Sequence, residues 1–525
     1  MPVPERPPVI ARVGAPARGR ETEQQGNADK HDERGHRNGR PSSSWLTRMI
    51  ALSLVFMIND SAFVAGPPSS VDRAAEVLRR RAASLPVGAK LPSTRTLVRD
   101  LDVGPVTVQK ALGALVAEGL VITRPGAGTF VARPTTRSTA GPDTAWQQVS
   151  LGVDPVDASA MQRICRVGDP GVLQLASAFT DTTLQPQARL AAAMSRASRR
   201  PDIWSSAPPL GLPELRAWFA TQAGAAADDV LITSGGQSAL SATLRSLARP
   251  GERVLFAVPT YPGALAIARA AGIVAVPVPA DHDGVRPDQL ARAFASTGAR
   301  ALYLQPTWAN PDGSVLAAQR RAPVLAAAAA AGAFVIEDDY ARLLGHGGPT
   351  PPSLLASDTE GRVINLTSLT KVVAQGLRVG AVIARGPVLR RIAALRLVDD
   401  LYVTPVLQAA AVELVTGPGW RPHLKQLSAA LADRAAVMGR ELAARLPQAR
   451  FTPPRGSMSI WLALPTGMDE TSVTDAAAAN GVAVGPGSPY WIGNPESAHL
   501  RLCFGGIPVD HIGEAISRLA AAVAA

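Results

Sequence analysis

Apolar and polar positions fall into two differently patterned parts of the chain. In Val71–Arg81 the apolar residues stand at 71, 74, 75 and 78 with arginines on the other side, which is the spacing of an amphipathic helix. Leu91-Pro-Ser-Thr-Arg-Thr-Leu97 predicts a second helix capped by Ser93, whose hydroxyl can accept from a first-turn amide. A third helix begins within Val103–Glu118, where Pro105 suits the first helical position. Gly119–Val131 then predicts two short strands about a Pro-Gly turn. Beyond about residue 171 the period changes. Short apolar strands at Val230–Thr233, Arg253–Ala257, Ala301–Leu304 and Phe334–Ile336 alternate with longer Ala-rich stretches such as 317–332. That alternation specifies a mostly parallel sheet covered on both faces.

The flanking segments lack such patterns. Residues 1–44 are rich in Pro, Gly, Arg, Glu and Ser and are expected to be disordered. Trp45–Ile58 is apolar after Arg48, like the hydrophobic part of a signal peptide, but it lies too far from Met1 for that role. A docked helix is expected instead, or an upstream extension if translation begins at Met49 or Met57. Arg133–Pro142, rich in Thr, Pro and Ser, reads as the start of a linker. The expected organisation is therefore an extension over 1–68, a small module over 69–133, a linker over 134–170 and a large α/β domain over 171–525.

Composition narrows the class. The chain has 525 residues, 46% of them hydrophobic, ample for several buried cores. Its two cysteines, Cys165 and Cys503, exclude a disulfide scaffold and suit a reducing cytoplasm. No apolar run reaches the roughly 18 to 20 residues needed to span a bilayer, so no membrane association is expected. Net charge is +11, and residues 69–133 alone carry ten basic and five acidic groups. Nearly half the surplus thus sits in one eighth of the chain, the footprint of a module that neutralises phosphates. Only five of the 53 basic residues are lysines, at 30, 90, 110, 371 and 425, so a lysine inside a motif stands out.

The small module reads as a helix-turn-helix followed by a wing, with the second helix of the motif entering the major groove. "LPSTRTL", "TVQKALGALVAEGLV" and "RPGAGTFV" follow in order and resemble the GntR-type winged helix across about 65 residues. The resemblance implies DNA contact by Ser93, Arg95, Thr107, Gln109, Lys110 and Gly128. One departure is clear: Gly104-Pro105-Val106 stands where that family commonly has Ser-Arg before the recognition-helix Thr, which gives Arg95 added weight.

Several motifs of the large domain sit at the carboxyl ends of predicted strands, where parallel sheets bind ligands. Ser234-Gly-Gly-Gln-Ser opens a helix that can bind a phosphate through free amides. Thr260-Tyr261, Trp308-Ala-Asn-Pro-Asp-Gly313, Glu337-Asp-Asp-Tyr340 and Ile364–Lys371 follow, with Arg378 seven residues on. An amine, a carboxylate, phenolic and amide donors, an aromatic ring and a phosphate cup together suit pyridoxal phosphate. Their order resembles that of fold-type-I aminotransferases from about residue 171 onward. By that resemblance Lys371 is the Schiff-base lysine and Asp338 the partner of the pyridine nitrogen. Asn310 and Tyr340 hold the ring oxygen, Tyr261 stacks, and Gly236, Gln237, Ser368 and Arg378 grip the phosphate. Arg501, in His499–Phe504, matches an arginine that binds a substrate α-carboxylate. Asp339 is expected to be solvated or structural. The resemblance calls for no metal.

A GntR-type winged helix ahead of an aminotransferase-like domain resembles the MocR-type regulators. This implies a cytoplasmic, homodimeric transcription regulator on double-stranded DNA, sensing pyridoxal phosphate or its aldimine with an amino acid or other small amine. The alternatives are an active aminotransferase with an appended DNA-binding domain, and a large domain kept only for dimerisation.

Overall fold

Ser69 opens the first helix by accepting a hydrogen bond from the Asp72 amide, while the Asp72 carboxylate reaches back to the Ser69 amide, both at 3.2 Å. Two first-turn donors are satisfied at once. The computed structural model describes residues 69–124, 126–132, 144–152, 158–159, 161–162, 171–495 and 497–524. The expectations for 1–68 and for 133–142 fall outside them. The chain divides into two compact units between Thr144 and Ala145.

In the small unit α1 (Ser70–Ala83), α2 (Thr94–Leu101) and α3 (Pro105–Ala117) precede the antiparallel pair β1 (Val121–Arg124) and β2 (Gly128–Val131). Asp102 ends α2 in the left-handed conformation at φ 51°, and Gly104 and Pro105 start α3, so three residues turn the chain between the two helices. Leu78, Leu97, Val108, Ala111 and Leu115 are fully buried between the helices, with Val121 closing the core from the wing. Arg79 of α1 pairs with Glu118 at the end of α3 at 2.8 Å.

The large unit begins with α4 (Ala145–Leu151), inside the stretch expected to be linker. Trp146 and Val149 stand one helical turn apart there, a spacing that reading composition alone passes over. Further on, β3 (Leu173–Gln174) pairs with Val482–Ala483. An eight-stranded sheet comprises β4 (Val230–Thr233), β5 (Arg253–Val258), β6 (Val274–Asp281), β7 (Gly284–Val285), β8 (Ala301–Leu304), β9 (Phe334–Asp338), β10 (Val363–Ser368) and β11 (Gly380–Ile383). Their order is β4-β11-β10-β9-β8-β5-β6-β7, with β11 and β7 running against the other six.

Alternate residues of these strands enter separate cores. Val230, Ile232, Leu255, Leu302 and Val335 belong to one, while Leu231, Phe256, Tyr303 and Ile336 belong to the other. Both faces are covered, as a mostly parallel sheet requires. β9 lies between β8 and β10, so its carboxyl end opens at the middle of the sheet. A three-stranded antiparallel sheet nearer the C-terminus carries Arg501 on its central strand, paired with Trp461 on one side and Gly485 on the other. Among the described residues no helix is long and apolar enough to cross a membrane.

The small unit's core is thin, so one large deletion should be felt. Leu97→Ala is expected to cost about 2–5 kcal/mol. Amide hydrogen exchange over 70–131 should accelerate, with that of Gly236–Leu247 unchanged.

Candidate functional site

Side chains alternate along β9, and this decides which of its carboxylates faces the ligand edge. Asp338 shares the face of Ile336 and Tyr303, where the Tyr303 hydroxyl (2.6 Å) and the Gln305 amide (2.8 Å) both donate to its Oδ2. Glu337 and Asp339 address other parts of the protein. Glu337 accepts from Ser353 and from the Leu354 amide at 2.8 Å. Asp339 accepts from Arg342 and, at 3.5 Å, from Asn365. Asp339 is 2% exposed. Of the two roles expected for it, the solvated one is excluded.

Asp338 lies in the wall of a cavity of about 390 Å³, together with Gly236, Gln237, Tyr261, Asn310, Tyr340, Ser368, Lys371, Arg378 and Arg501. Nine of these ten residues come from strand ends, the loops after them or the helix start at Gly236, and Arg501 stands mid-strand in the three-stranded sheet. The helix Gly236–Leu247 starts at the cavity without a side-chain cap, behind Gly235 at φ 85°. Its first-turn amides therefore have no partner within the helix, and the positive end of its dipole faces an anion-sized space. Arg378 Nη2 donates to the Ser234 carbonyl at 2.9 Å, across Gly235. A Cβ on Gly235 would stand 2.9 Å from that nitrogen, so the approach requires glycine. Ser368 Oγ accepts from the Thr370 amide at 3.1 Å, folding the loop that leads to Lys371.

Lys371 Nζ donates to the Ala178 carbonyl at 2.7 Å and lies 3.9 Å from the centre of the Phe179 ring. Tyr261 is held by its hydroxyl, 3.0 Å from Gln237 Oε1, and by Gly263, where a Cβ would collide with the ring at 2.4 Å. The Asn310 amide donates to Gln305 Oε1 at 2.9 Å, so one glutamine steadies both Asn310 and Asp338. The Tyr340 hydroxyl donates to the Trp308 carbonyl at 3.1 Å. Arg501 is 2% exposed; it donates to the Tyr490 hydroxyl, and its Nε has no partner among the described residues.

Burial pushes the Asp338 carboxyl above its usual range, opposed by Tyr303, Gln305 and the charge of Lys371. Burial and the neighbouring Glu337 push Asp339 up as well, against the Arg342 ion pair. The cavity can therefore pair the Asp338 carboxylate with a cation, present the Lys371 amine and receive anions at both the helix start and Arg501. Tyr303, Gln305, Ser457 and Phe179 escaped the sequence reading. Gln305 follows directly on β8 at the same sheet edge, which was a usable signal; Tyr303 reads only as strand core.

In the small unit Ser93 Oγ accepts from the Thr96 amide at 3.2 Å, so its hydroxyl is engaged in capping. Arg95, Gln109 and Lys110 are exposed, and Thr107 is half-buried. Gly128 begins the second wing strand at φ 115°, where a Cβ would meet the Lys90 side chain at 2.7 Å. Lys90 and Arg124 stand 5.9 Å and 5.3 Å from the centre of the Phe130 ring. The one group of metal-type ligands among the described residues, Asp281, His282 and Asp283, has Asp281 already bound by Arg320 at 2.6 Å.

Residues 171–519 match the family model of aminotransferase class I and II, and residues 71–131 that of bacterial regulatory proteins of the gntR family. The chain is 30% identical to a 2-aminoadipate transaminase of Thermus thermophilus, covering 72% of this chain and 97% of that enzyme. It is 28% identical to the HTH-type transcriptional regulator TauR of Rhodobacter capsulatus, over 83% of this chain and 92% of that protein. The crystal structure of LysN, an α-aminoadipate aminotransferase from Thermus thermophilus complexed with N-(5'-phosphopyridoxyl)-L-leucine, matches with a TM-score of 0.66 and 28% identity. The match covers 72% of this chain and 98% of that one.

The buried carboxyl pair behind the site predicts a pH dependence. Asp339 has a folded pKa above its unfolded value of 3.8. It therefore stabilises the fold at low pH, and that contribution is lost as pH rises from about 4 towards neutrality. The denaturation midpoint of Asp339→Asn should therefore rise relative to that of the parent as pH goes from 5 to 7.

Proposed function

The chain belongs to the aminotransferase class I and II family, with a gntR-family DNA-binding module ahead of it in the MocR-type architecture, and we propose that this regulator couples the ligand state of its pyridoxal phosphate site to its hold on DNA. The observation that carries the reading is the single cavity that gathers Lys371, Asp338 and the uncapped helix start.

The residues present fit the cofactor. A protonated ring nitrogen beside Asp338 offsets the burial of that carboxylate. The helix start at Gly236 and Gln237, with Ser368 and Arg378, holds the phosphate. Asn310 and Tyr340 supply donors to the ring oxygen, and Tyr261 offers its ring for stacking. When bound, the cofactor supplies an aldehyde that captures amines and a ring that withdraws electrons from the carbon next to the captured nitrogen. Lys371 contributes the resident amine. Arg501, buried with an unpartnered Nε, is the group for the carboxylate of an incoming amino acid. An amino acid held by Arg501 would change which of these groups the cavity engages, and DNA affinity would change with it by at most the ligand's differential affinity for the two states.

On the DNA side, Arg95 with Ser93 at the start of α2, Thr107, Gln109 and Lys110 along α3, and Gly128 in the wing form the contact set. The regulator acts in the cytoplasm as a homodimer, its two recognition helices reading paired half-sites. The module boundaries of this reading are 69–133 and 171–525. The competing reading is net transamination, favoured by the same intact set of groups and by the transaminase among the relatives.

Three outcomes test this. The purified protein should absorb in the visible when given pyridoxal phosphate, and Lys371→Ala should abolish that absorbance. With candidate amino acids and 2-oxo acids, keto-acid yield should stop at one equivalent per site; multiple turnovers overturn the regulator-only reading. Arg95→Ala should weaken binding to the protein's DNA site about tenfold or more while leaving the visible spectrum unchanged.

A further inference from the structure

Ser457 combines three properties. Its φ is +68°, in the left-handed region where a Cβ is penalised and glycine is the usual occupant. It is 3% exposed, yet it lines the cavity that holds Lys371 and Asp338. Strain of this kind persists where the surrounding structure imposes it, and it concentrates at functional sites.

Its hydroxyl lies 2.9 Å from Tyr340 Oη, which also donates to the Trp308 carbonyl at 3.1 Å. A phenol carries one proton, and a carbonyl oxygen can only accept. Both hydrogen bonds exist together only if Ser457 donates to the phenol oxygen. A donor at that oxygen stabilises the ionised phenol more than the neutral one, so Tyr340 becomes a stronger donor in its turn. The direction agrees with the electrostatics at Tyr340, where burial pushes the phenol up and the Ser457 hydrogen bond opposes it.

We infer that Ser457 is a positioning residue that acts through Tyr340: the ionised ring oxygen of bound pyridoxal phosphate takes the phenol proton in place of the Trp308 carbonyl, neither acceptor can donate, and Ser457 therefore donates to the phenol oxygen in both states. The inference rests on the cofactor reading above. Its consequence is specific. A strong donor competes for the proton that the ring oxygen shares with the Lys371 nitrogen, and so lowers the pH at which the lysine-bound cofactor loses that proton.

The test is a visible-absorbance pH titration of the full chain loaded with pyridoxal phosphate. Ser457→Ala removes the hydroxyl and keeps a Cβ at positive φ, whereas Ser457→Gly removes the hydroxyl and relaxes the backbone. Both should raise the titration midpoint by the same amount, roughly half a pH unit. Tyr340→Phe should raise it further, and adding Ser457→Ala to Tyr340→Phe should change nothing more. Equal midpoints in the parent and both serine variants overturn the assignment. So does a shift in only one of the serine variants, which would make backbone strain the cause. A parent that binds no cofactor removes the underlying reading, and this one with it. The glycine variant suits the local backbone, so it guards against a failure of the alanine variant to fold.

Discussion

The period-two alternation of β9 is the constraint on which the large unit depends. This strand is buried on both faces and ends in Glu337 and Asp338, with Asp339 directly after it, and each of the three carboxyl groups has a different duty. One step of register would send Asp338 into the structural network and bring its neighbours to the cavity. The pairing of β9 with both β8 and β10 prevents that step. Glu337 ties down the Ser353–Leu355 turn and Asp339 ties down Arg342. The polar network around Glu337 and Asp339 thus holds the strand whose Asp338 lines the cavity.

The cavity is built on the same principle of indirect support. Gln305 touches both Asp338 and Asn310, Gln237 touches Tyr261, and Ser457 touches Tyr340. Of these supports Gln237 has an expected role of its own, whereas Gln305 and Ser457 have none. Such a shell holds charged groups in low dielectric at fixed positions, which an unsupported loop does not achieve. Each of these cavity side chains is thereby tied to the strand or loop that its support belongs to. For a regulator this matters because a ligand can shift an equilibrium only through elements that have two distinct arrangements.

Much of this was legible in the sequence. Ser93 and Pro105 mark helix starts by capping chemistry, and α2 and α3 begin at those positions. The strands at 230, 253, 301 and 334 begin where the apolar runs do, because parallel strands buried on both faces read as continuous apolar segments. Nine of the ten cavity residues were legible through motifs at or after strand ends, and Arg501 through the motif His499–Phe504. The supporting shell was not. Tyr303 looks like strand core, Ser457 lies in an unpatterned turn, and Phe179 meets Lys371 across nearly two hundred residues. Contacts of that range follow from topology and leave no local periodicity. Likewise α4 falls within a stretch whose composition suggests a linker, since composition weighs residues without their spacing.

In the proposed reading the Arg501 guanidinium and the Gly236 helix start, which line one cavity, are two anion sites for one bound amino compound. The most direct measurement is the dissociation constant of the full chain for a duplex it selects from a random pool, read by fluorescence anisotropy with and without saturating pyridoxal phosphate. The account predicts a change of about fivefold or more in the parent and none in Lys371→Ala. Equal affinity of the parent in the two conditions would contradict it.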